Sequence, residues 1–465
     1  MSPESFGRPP NIILCTCDQL RAFEVGCYGN PVIRTPHMDR LAADGTRFET
    51  AVTSYPVCMP ARTSLLSGQY ARRCTGGVGN VSRPGGGGLP EYPAPGRAHL
   101  PDPTLPELLA ERGYYNAAIG KWHIHVWPHV LGFDYYLIPR VHHCHTGQSF
   151  TENGGPEFAP PGFSVDFEAE RVGRFLHERR RAEQPFFLFY NISPPHCPYA
   201  DAPESFLRMY QPDDMPIRPN VDLARPLPDQ EHWFKIYRYD YKYYEHRLPY
   251  TDALPEGYGL RHVLAEYYGL TSWVDDALGR LLWALDATGL SEDTILIFTS
   301  DHGDYLGSHG RVQKSGLHEE SIRIPLIVRW PQQRRSRGQV VRQQVASLVD
   351  LAPTLLDLAG AAAPEHMHGR SLGPLLRGER AALADDSAII ETDGEGTAIR
   401  TPTHLYALPA GRPGRRLGAK PHLFFDLTRD PYQLRNLAGS GEQRADARDL
   451  DRRLRRWHAT TAWLA

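Results

Sequence analysis

Four short apolar runs, each ending abruptly in polar residues, constrain the fold of this chain more than any other feature of its sequence. The first, residues 11–17, is almost continuously apolar and is followed by Asp18. Such a run is typical of a strand buried on both faces of a parallel sheet. The other three are 116–120 before Lys121, 185–192 before His196 and 294–299 before Asp301. The pattern predicts strands that carry polar side chains at their carboxyl ends.

Helical patterns separate these runs. Thr35-Pro36 begins one that Gly45 ends, and Thr104 with Glu107 forms a capping box that begins another. Longer stretches with apolar residues at helical spacing are 165–183, 260–289 and 345–360. Alternating strands and helices indicate an α/β fold with a large, mixed but mostly parallel sheet sandwiched by helices. Ligands bind beyond the carboxyl ends of such strands, so we expect the four polar segments to converge there.

The pattern changes after about residue 375. Short strands are predicted at 388–391, 397–400, 404–408 and 422–427, and a basic amphipathic helix begins near Arg444. This arrangement is typical of a small α+β domain. We therefore divide the chain into a large α/β domain over 1–375, which carries the polar segments, and a smaller antiparallel-sheet-plus-helix domain over 376–465.

The charge balance excludes partners that need a strong electrostatic field. Lys and Arg number 51 against 54 Asp and Glu, a formal net charge of −3, so we expect no nucleic acid or membrane partner. The 7 cysteines lack metal-finger spacing and are an odd number, which argues against a disulfide framework. The N-terminal stretch does not resemble a secretory signal, and no apolar run is long enough to span a membrane. These features predict a soluble cytoplasmic protein.

Cys58-Met59-Pro60-Ala61-Arg62 forms a C-x-P-x-R pentapeptide. Pro60 suits the first turn of a helix, which places Cys58 at the helix N-terminus, where backbone N–H groups favour an anion. Arg62 could then clamp that anion. Taken alone, the motif fits a buried structural cysteine before a helix better than a reactive one.

The order of the other polar segments changes this interpretation. Around the pentapeptide lie Cys17-Asp18-Gln19, Gly120-Lys121-Trp122-His123, Pro195-His196-Cys197-Pro198, Ser300-Asp301-His302-Gly303, Lys314 and Phe425-Asp426-Leu427. In this order the motifs resemble those of the type I, formylglycine-dependent sulfatases of the alkaline phosphatase superfamily. The resemblance covers nearly the whole chain and implies an alkaline phosphatase-like fold. It also implies a sulfuric ester hydrolase of the arylsulfatase type.

The resemblance assigns roles to individual residues. Cys58 would be converted to formylglycine by a formylglycine-generating enzyme, and a hydroxyl of the hydrated aldehyde would attack the sulfur of a small-molecule or saccharide sulfate ester. After the alcohol departs, the second hydroxyl would lose a proton and expel sulfate. One divalent cation would be held by Asp18, Gln19, Asp301 and His302. The anionic group and the leaving oxygen would be surrounded by Arg62, Lys121, His123, His196 and Lys314.

Two positions depart from the common sulfatase pattern, which has a second Asp at position 19 and an Asn at position 302. Oxygen ligands favour calcium, our first choice, whereas the imidazole of His302 favours manganese, the alternative. The Gln19 and His302 variant also resembles phosphonate monoester and phosphodiester hydrolases that share the modified cysteine. We therefore predict a sulfatase, with such a hydrolase as the nearest alternative. A non-catalytic anion-binding protein with unmodified Cys58 is the alternative from another class.

Three groups of imidazole or aromatic side chains have roles that the sequence leaves open. Five histidines follow Lys121: His125, His129, His142, His143 and His145. Their spacing does not match that of a metal finger, so we expect a structural or substrate-lining role rather than a second metal site. His309 and His318 flank Lys314 and either line the same pocket or lie free in a loop. Residues 233–258 are rich in Tyr and Trp, which fits a lid over the substrate, a packed insertion or a subunit interface of an oligomer.

Overall fold

A sheet of ten strands runs through the larger part of the molecule, and the first predicted apolar run lies at its centre. The structure is a computed structural model that describes residues 8–77, 80, 97, 100–139, 143–246, 252–411 and 415–464, without the side chains of 240–246, 334 and 411. The strands are β1 (Asn11–Asp18), β2 (Thr46–Val52), β3 (Tyr115–Gly120), β4 (Tyr135–Pro139), β5 (Phe150–Glu152), β6 (Phe186–Pro195), β7 (Thr294–Ser300), β8 (Arg323–Ile324), β9 (Leu326–Arg329) and β10 (Gln339–Ser347).

The four predicted apolar strands are neighbours in this sheet. The strand order is β10-β2-β9-β7-β1-β6-β3-β4-β5, with β8 beside β2. The pairs β7–β1, β1–β6 and β6–β3 are all parallel, whereas β9 and β5 run antiparallel to their neighbours. Because parallel strands end at the same edge, the residues after β1, β3, β6 and β7 meet there. The predicted mixed, mostly parallel α/β fold is confirmed.

Helices cover both faces of the sheet. They are α1 (Pro36–Asp44), α2 (Cys58–Ser67), α3 (Ala71–Cys74), α4 (Leu105–Ala110), α5 (Ser164–Arg179), α6 (Glu204–Leu207), α7 (Gln230–His246), α8 (Leu260–Thr288), α9 (Glu319–Ile322), α10 (Leu351–Leu358), α11 (Gly373–Leu376) and α12 (Arg444–Thr460). Alternate residues of β1 enter two separate cores: Ile13 packs with α5 and α8, and Ile12 packs with α2, α4 and α10. In the described part of the chain, no helix has the length and apolar character that a membrane span requires.

The helix predicted over 345–360 is wrong in its first part. Residues 345–347 end strand β10 and pair with β2, and the helix α10 begins only at Leu351. A short apolar stretch such as Val345-Ala346-Ser347-Leu348-Val349 fits a buried strand and a buried helix equally, so its periodicity does not decide between them. Pairing with β2 does.

The C-terminal part forms the smaller antiparallel sheet that the sequence predicts. Strands β11 (Ala388–Glu391), β12 (Thr397–Arg400), β13 (His404–Leu408) and β16 (Leu423–Asp426) pair in that order, and β14 (Ala410–Gly411) pairs antiparallel with β15 (Arg416–Leu417). The sheet packs on the large one through a shared core that includes Val52, Val345 and Phe425. The domain boundary at 375 stays a prediction.

Candidate active site

The polar residues that follow the four central strands meet in one buried cluster around Cys58. The Sγ atom of Cys58 lies 3.1 Å from His302 Nε2, 3.3 Å from Lys314 Nζ and 3.6 Å from Asp18 Oδ1. Cys58, Asp18 and His302 are 0% exposed. Cys58 begins helix α2, as the pentapeptide predicts. The structure therefore brings the cysteine motif and the strand-end residues into contact.

The charges around Cys58 favour an anion at its side-chain position. Burial and Asp18 oppose ionisation of the thiol, but Lys314, Lys121 and His302 outweigh them and hold its pKa well below the ordinary value. Burial alone would lower the pKa of Lys314, but Cys58 and Asp18 raise it above its ordinary value. Lys314 therefore stays protonated at neutral pH and donates hydrogen bonds into the site.

Asp18 and Asp301 are two buried carboxylates that share one arginine. Arg62 Nε donates to Asp301 Oδ2 at 2.9 Å, and Nη2 lies 3.4 Å from Asp18 Oδ2. Burial would raise the pKa of Asp18, but the charges of Lys121, Lys314 and Arg62 hold it well below its ordinary value. Burial and the neighbouring Asp18 instead raise the pKa of Asp301 to about 6.

The donor atoms of this cluster fit a divalent cation. One ligand atom from each of Asp18, Cys58, Asp301 and His302 lies within 4.8 Å of the others. The carbonyl oxygen of Gly303 accepts a hydrogen bond from His302 Nδ1 at 2.9 Å. This bond turns Nε2 towards the carboxylates, the arrangement that metal-binding histidines use. Two carboxylates and an imidazole at one buried point form a set that a cation would stabilise.

Gln19 joins the cluster through its amide oxygen. Lys314 Nζ donates to Gln19 Oε1 at 2.8 Å, and Gln19 Nε2 donates to the Asp304 carboxylate. The backbone of Gln19 is in the left-handed region, with φ of 72°. Because Lys314 Nζ contacts both Gln19 Oε1 and Cys58 Sγ, the fourth predicted cation ligand lies beside the cluster of the other three.

The site also contains three further predicted residues, Lys121, His123 and His196. Lys121 Nζ lies 2.5 Å from Asp18 Oδ2 and 2.9 Å from His143 Nδ1. Burial lowers the pKa of His123 despite a hydrogen bond with Cys58. Burial, Lys314 and Lys121 hold the pKa of His196 well below its ordinary value, so its ring is neutral beside two ammonium groups.

The sequence analysis missed two residues of the site and left a third open. Asn191 accepts from Arg62 Nη1 at 2.9 Å, and Asp304 holds Gln19. The ring of His143 stacks on His196 with centroids 3.8 Å apart. A signal for Asn191 was present, because an amide inside the apolar run 185–192 must find a partner when buried.

Two of the remaining histidines after Lys121 pack against aromatic side chains, and His125 is buried. His129 Nδ1 lies 3.2 Å from the Tyr136 hydroxyl, and the ring of His145 packs edge-on against Trp273. His142 lies outside the described residues. Among the described residues, a single group of His, Cys, Asp or Glu side chains could hold a metal ion, and it is the group around Cys58.

The described aromatic side chains of the segment 233–258 are buried or half-buried. Phe234 and Tyr237 are 2% and 0% exposed and belong to the core that holds α8. The side chains of Tyr241, Tyr243, Tyr244 and Tyr250 lie outside the described residues. Tyr237 reaches the active-site region, because its hydroxyl donates to Asp304.

His309 and His318 have defined partners. Their rings pack with centroids 4.1 Å apart, His318 Nδ1 lies 3.0 Å from the Tyr305 hydroxyl, and His309 Nε2 lies 3.5 Å from the Glu320 carboxylate. Burial and the adjacent His309 lower the pKa of His318 to about 3. These two rings therefore stabilise the segment that carries Lys314.

We expect the variant His318→Gln to be less sensitive to acid than the wild type. The native protein keeps this ring neutral, whereas the unfolded chain takes up a proton below its pKa of about 6.5. The stability due to the neutral ring is thus present above pH 6.5 and is lost as pH falls towards 3. At pH 5 the loss is about 2 kcal/mol. Urea unfolding at pH 7.5 and pH 5 measures this loss in the free energy of unfolding. The variant with the exposed His177→Gln is the control and should lose as much as the wild type. An equal loss in H318Q and wild type would contradict the prediction.

Comparison with known proteins identifies the family. The family model described as Sulfatase matches residues 10–361, well over half of the chain. The Ulvan-active sulfatase of Formosa agariphila is 29% identical over 466 residues, which cover 96% of this chain and 80% of that protein.

Solved structures share the fold. BT4656 in complex with its substrate D-glucosamine-2-N,6-O-disulfate has a TM-score of 0.78 at 24% identity, covering 97% of this chain and 98% of that one. The phosphonate monoester hydrolase of Agrobacterium radiobacter has a TM-score of 0.71 at 23% identity, with 97% and 96% covered. At these identities the likeness establishes the fold alone. The family match and the sulfatase relative carry the assignment: this chain belongs to the sulfatase family of the alkaline phosphatase superfamily and is a sulfuric ester hydrolase.

Proposed function

We propose that this sulfatase hydrolyses an organic sulfate monoester to an alcohol and sulfate through a formylglycine at position 58. The observation that carries the proposal is the environment of Cys58 Sγ, which lies within 3.6 Å of a carboxylate, an imidazole and an ammonium group. In hydrated formylglycine both hydroxyls are bonded to the Cβ atom of residue 58, so one hydroxyl oxygen would take the place of Sγ. The same neighbours would then surround the nucleophile.

The cation in this proposal is held by Asp18, Gln19, Asp301 and His302. A divalent cation bound there would lower the pKa of a diol hydroxyl and polarise the ester. The imidazole of His302 and the amide of Gln19 support manganese as well as calcium.

The chain's own residues supply the rest of the chemistry. Arg62, Lys121 and Lys314 place three positive charges around the position of the sulfate, where negative charge grows in the transition state. The carbonyl of Cys197 accepts a hydrogen bond from His196 Nδ1 at 2.6 Å, so Nε2 is the nitrogen available to the substrate. Lys314 holds a proton at neutral pH and His196 does not. We therefore assign protonation of the leaving oxygen to Lys314, and proton acceptance from the second hydroxyl to a neutral imidazole such as His123.

The partners follow from the same chemistry. Because Cys58 is 0% exposed in the folded chain, the formylglycine-generating enzyme would act before the chain closes around it. The Ulvan-active sulfatase of Formosa agariphila supports a sulfated saccharide or a small sulfate ester as the substrate. The cytoplasmic location and an oligomeric state stay predictions.

Mass spectrometry of the peptide that contains residue 58 tests the nucleophile. Protein produced together with a converting enzyme is expected to carry the aldehyde, and activity is expected to rise with the converted fraction. Active preparations that contain only the thiol would exclude this mechanism. A protein with neither aldehyde nor activity under these conditions would favour the non-catalytic alternative.

A comparison of ester classes tests the substrate. The purified enzyme is expected to show its highest kcat/KM on sulfate monoesters, with phosphonate monoesters and phosphodiesters measured beside them at the same metal concentration. A large advantage for the phosphorus compounds would overturn the choice of sulfate and support the alternative hydrolase.

A further inference from the structure

The amide of Gln19 lies between the carboxylate of Asp304, which accepts from it, and the ammonium group of Lys314, which can only donate. Its Nε2 donates to a carboxylate oxygen of Asp304, and its Oε1 accepts from Lys314 Nζ at 2.8 Å. A flipped amide would set its oxygen against the carboxylate and its NH2 group against the ammonium. Gln19 and Asp304 are 0% exposed, so water cannot compensate for such contacts. The neighbours thus determine which end of the amide faces the cluster.

Asp304 is itself held in place without help from Gln19. Its Oδ1 accepts from the Tyr237 hydroxyl at 2.7 Å and from the backbone N–H of Leu306 at 2.8 Å. The Tyr237 hydroxyl in turn accepts from the backbone N–H of Gln313 at 2.8 Å. The other oxygen, Oδ2, is therefore presented to Gln19 by a rigid support.

The backbone of Gln19 is also anchored. Its N–H donates to Asp301 Oδ1 at 3.1 Å, and its carbonyl accepts from the Tyr267 hydroxyl at 2.7 Å. With the backbone held, the orientation of the amide is the main freedom left to this side chain. Asp304 removes that freedom.

We propose that Asp304 is a positioning residue that turns the amide oxygen of Gln19 towards the cation. The inference rests on the proposed function, because the cation site is part of it. It also gives a physical reason for the amide at position 19, where the common sulfatase pattern has a second Asp. A carboxylate there would face the buried carboxylate of Asp304, and two like charges at that distance are strongly unfavourable.

The variant Asp304→Asn tests the proposal because it can reverse the hydrogen bond. The introduced asparagine keeps its oxygen on the two donors, the Tyr237 hydroxyl and the Leu306 N–H, and turns its NH2 group towards residue 19. Gln19 must then flip and point its own NH2 group at the cation. A glutamate at position 19 would instead accept from this NH2 group and keep one oxygen for the cation. The effect of D304N should therefore depend on the residue at position 19.

The experiment is a double-mutant cycle read as Mn2+ affinity. Metal-free wild type, D304N, Q19E and Q19E/D304N are titrated with Mn2+ by calorimetry, and free Mn2+ is followed by electron paramagnetic resonance. In the wild-type background, D304N is expected to weaken Mn2+ binding by about 10- to 100-fold. In the Q19E background the same change is expected to leave the affinity unchanged or to increase it. Equal weakening in both backgrounds would mean a merely structural role and overturn the proposal.

Two further variants keep the result interpretable. Asp301→Asn removes a cation ligand whose position does not depend on Asp304, so it should weaken Mn2+ binding in every case. If wild type fails to bind Mn2+, or D301N binds as well as wild type, the cation site of the proposed function fails and this inference fails with it. If D304N does not fold, Tyr237→Phe loosens Asp304 without changing its charge and must still weaken Mn2+ binding. Unchanged affinity in Y237F would then overturn the positioning role alone.

Discussion

The variant Cys58→Ala is expected to lose turnover of sulfate esters by about 10⁴- to 10⁶-fold, the range seen when a hydrolase loses its nucleophile. Alanine offers no thiol for conversion and no hydroxyl for attack. The cations around it remain, because Lys314, Lys121 and Arg62 are held by Asp18, Gln19 and Asp301 as well as by Cys58. We therefore expect C58A to bind inorganic sulfate while it fails to turn over. Steady-state kinetics and sulfate titration by calorimetry measure the two properties separately.

Cys58→Ser is the matched control for this prediction. Serine supplies one hydroxyl in the same position but lacks the second hydroxyl that would expel sulfate. In a host whose converting enzyme acts on cysteine alone, C58S is expected to release at most one equivalent of alcohol per active site and then to stop. Continued turnover by C58S, or activity of C58A within tenfold of wild type, would contradict the role of residue 58.

The variant Asp301→Asn is expected to lower kcat/KM by about 10³-fold, which corresponds to about 4 kcal/mol of transition-state stabilisation. The amide keeps the size of the side chain and can still accept from Arg62. Its NH2 group then replaces the oxygen that accepts from the backbone N–H groups of Gln19 and His302, so a urea unfolding curve of D301N accompanies the kinetics. The variant loses the negative charge that would hold the cation. Kinetics at saturating Mn2+ and Ca2+ measure the effect, and the exposed Asp293→Asn is the control that should behave as wild type. Wild-type kinetics of D301N at low metal concentration would contradict the site.

The same carboxylate predicts how cation binding responds to acid. Burial and Asp18 raise the pKa of Asp301 to about 6 in the absence of a cation, so a proton competes with the cation below that pH. Affinity for Mn2+ in wild type is expected to fall as pH drops from 7 to 5. D301N should show a weaker dependence over this range, because its amide does not titrate.

The position of the site could be predicted from two signals in the sequence, the apolar runs and the polar residues that follow them. A strand buried on both faces is a continuous apolar run, and the first polar residue after it shows where the strand leaves the sheet. The predicted runs before Asp18, Lys121, His196 and Asp301 became the neighbours β1, β3, β6 and β7. The secondary structure of 345–360 could not be predicted in the same way, because its first apolar residues fit both a buried strand and a buried helix. Only the pairing of β10 with β2 decided between the two.

The network around the site was not predictable in the same way. Asn191 lies on β6 and accepts from Arg62 on α2, and Tyr237 on α7 donates to Asp304 beyond β7. Each bond joins residues far apart in the chain. Asp304 stands only three positions after Asp301, yet nothing local shows that it faces Gln19 rather than the cation.

The sequence by itself determined the fold class, most of the residues that enter the site and the family to which the chain belongs. Those properties depend on local order, since apolar periodicity defines strands and a fixed series of motifs follows their ends. Only the tertiary structure decided which group each polar atom meets: the neutral rings of His143 and His196, the shared arginine, and the orientation of the Gln19 amide. The physical reason is that a hydrogen bond is set by distances of a few tenths of an ångström between atoms on different elements, and only the packed chain defines those distances.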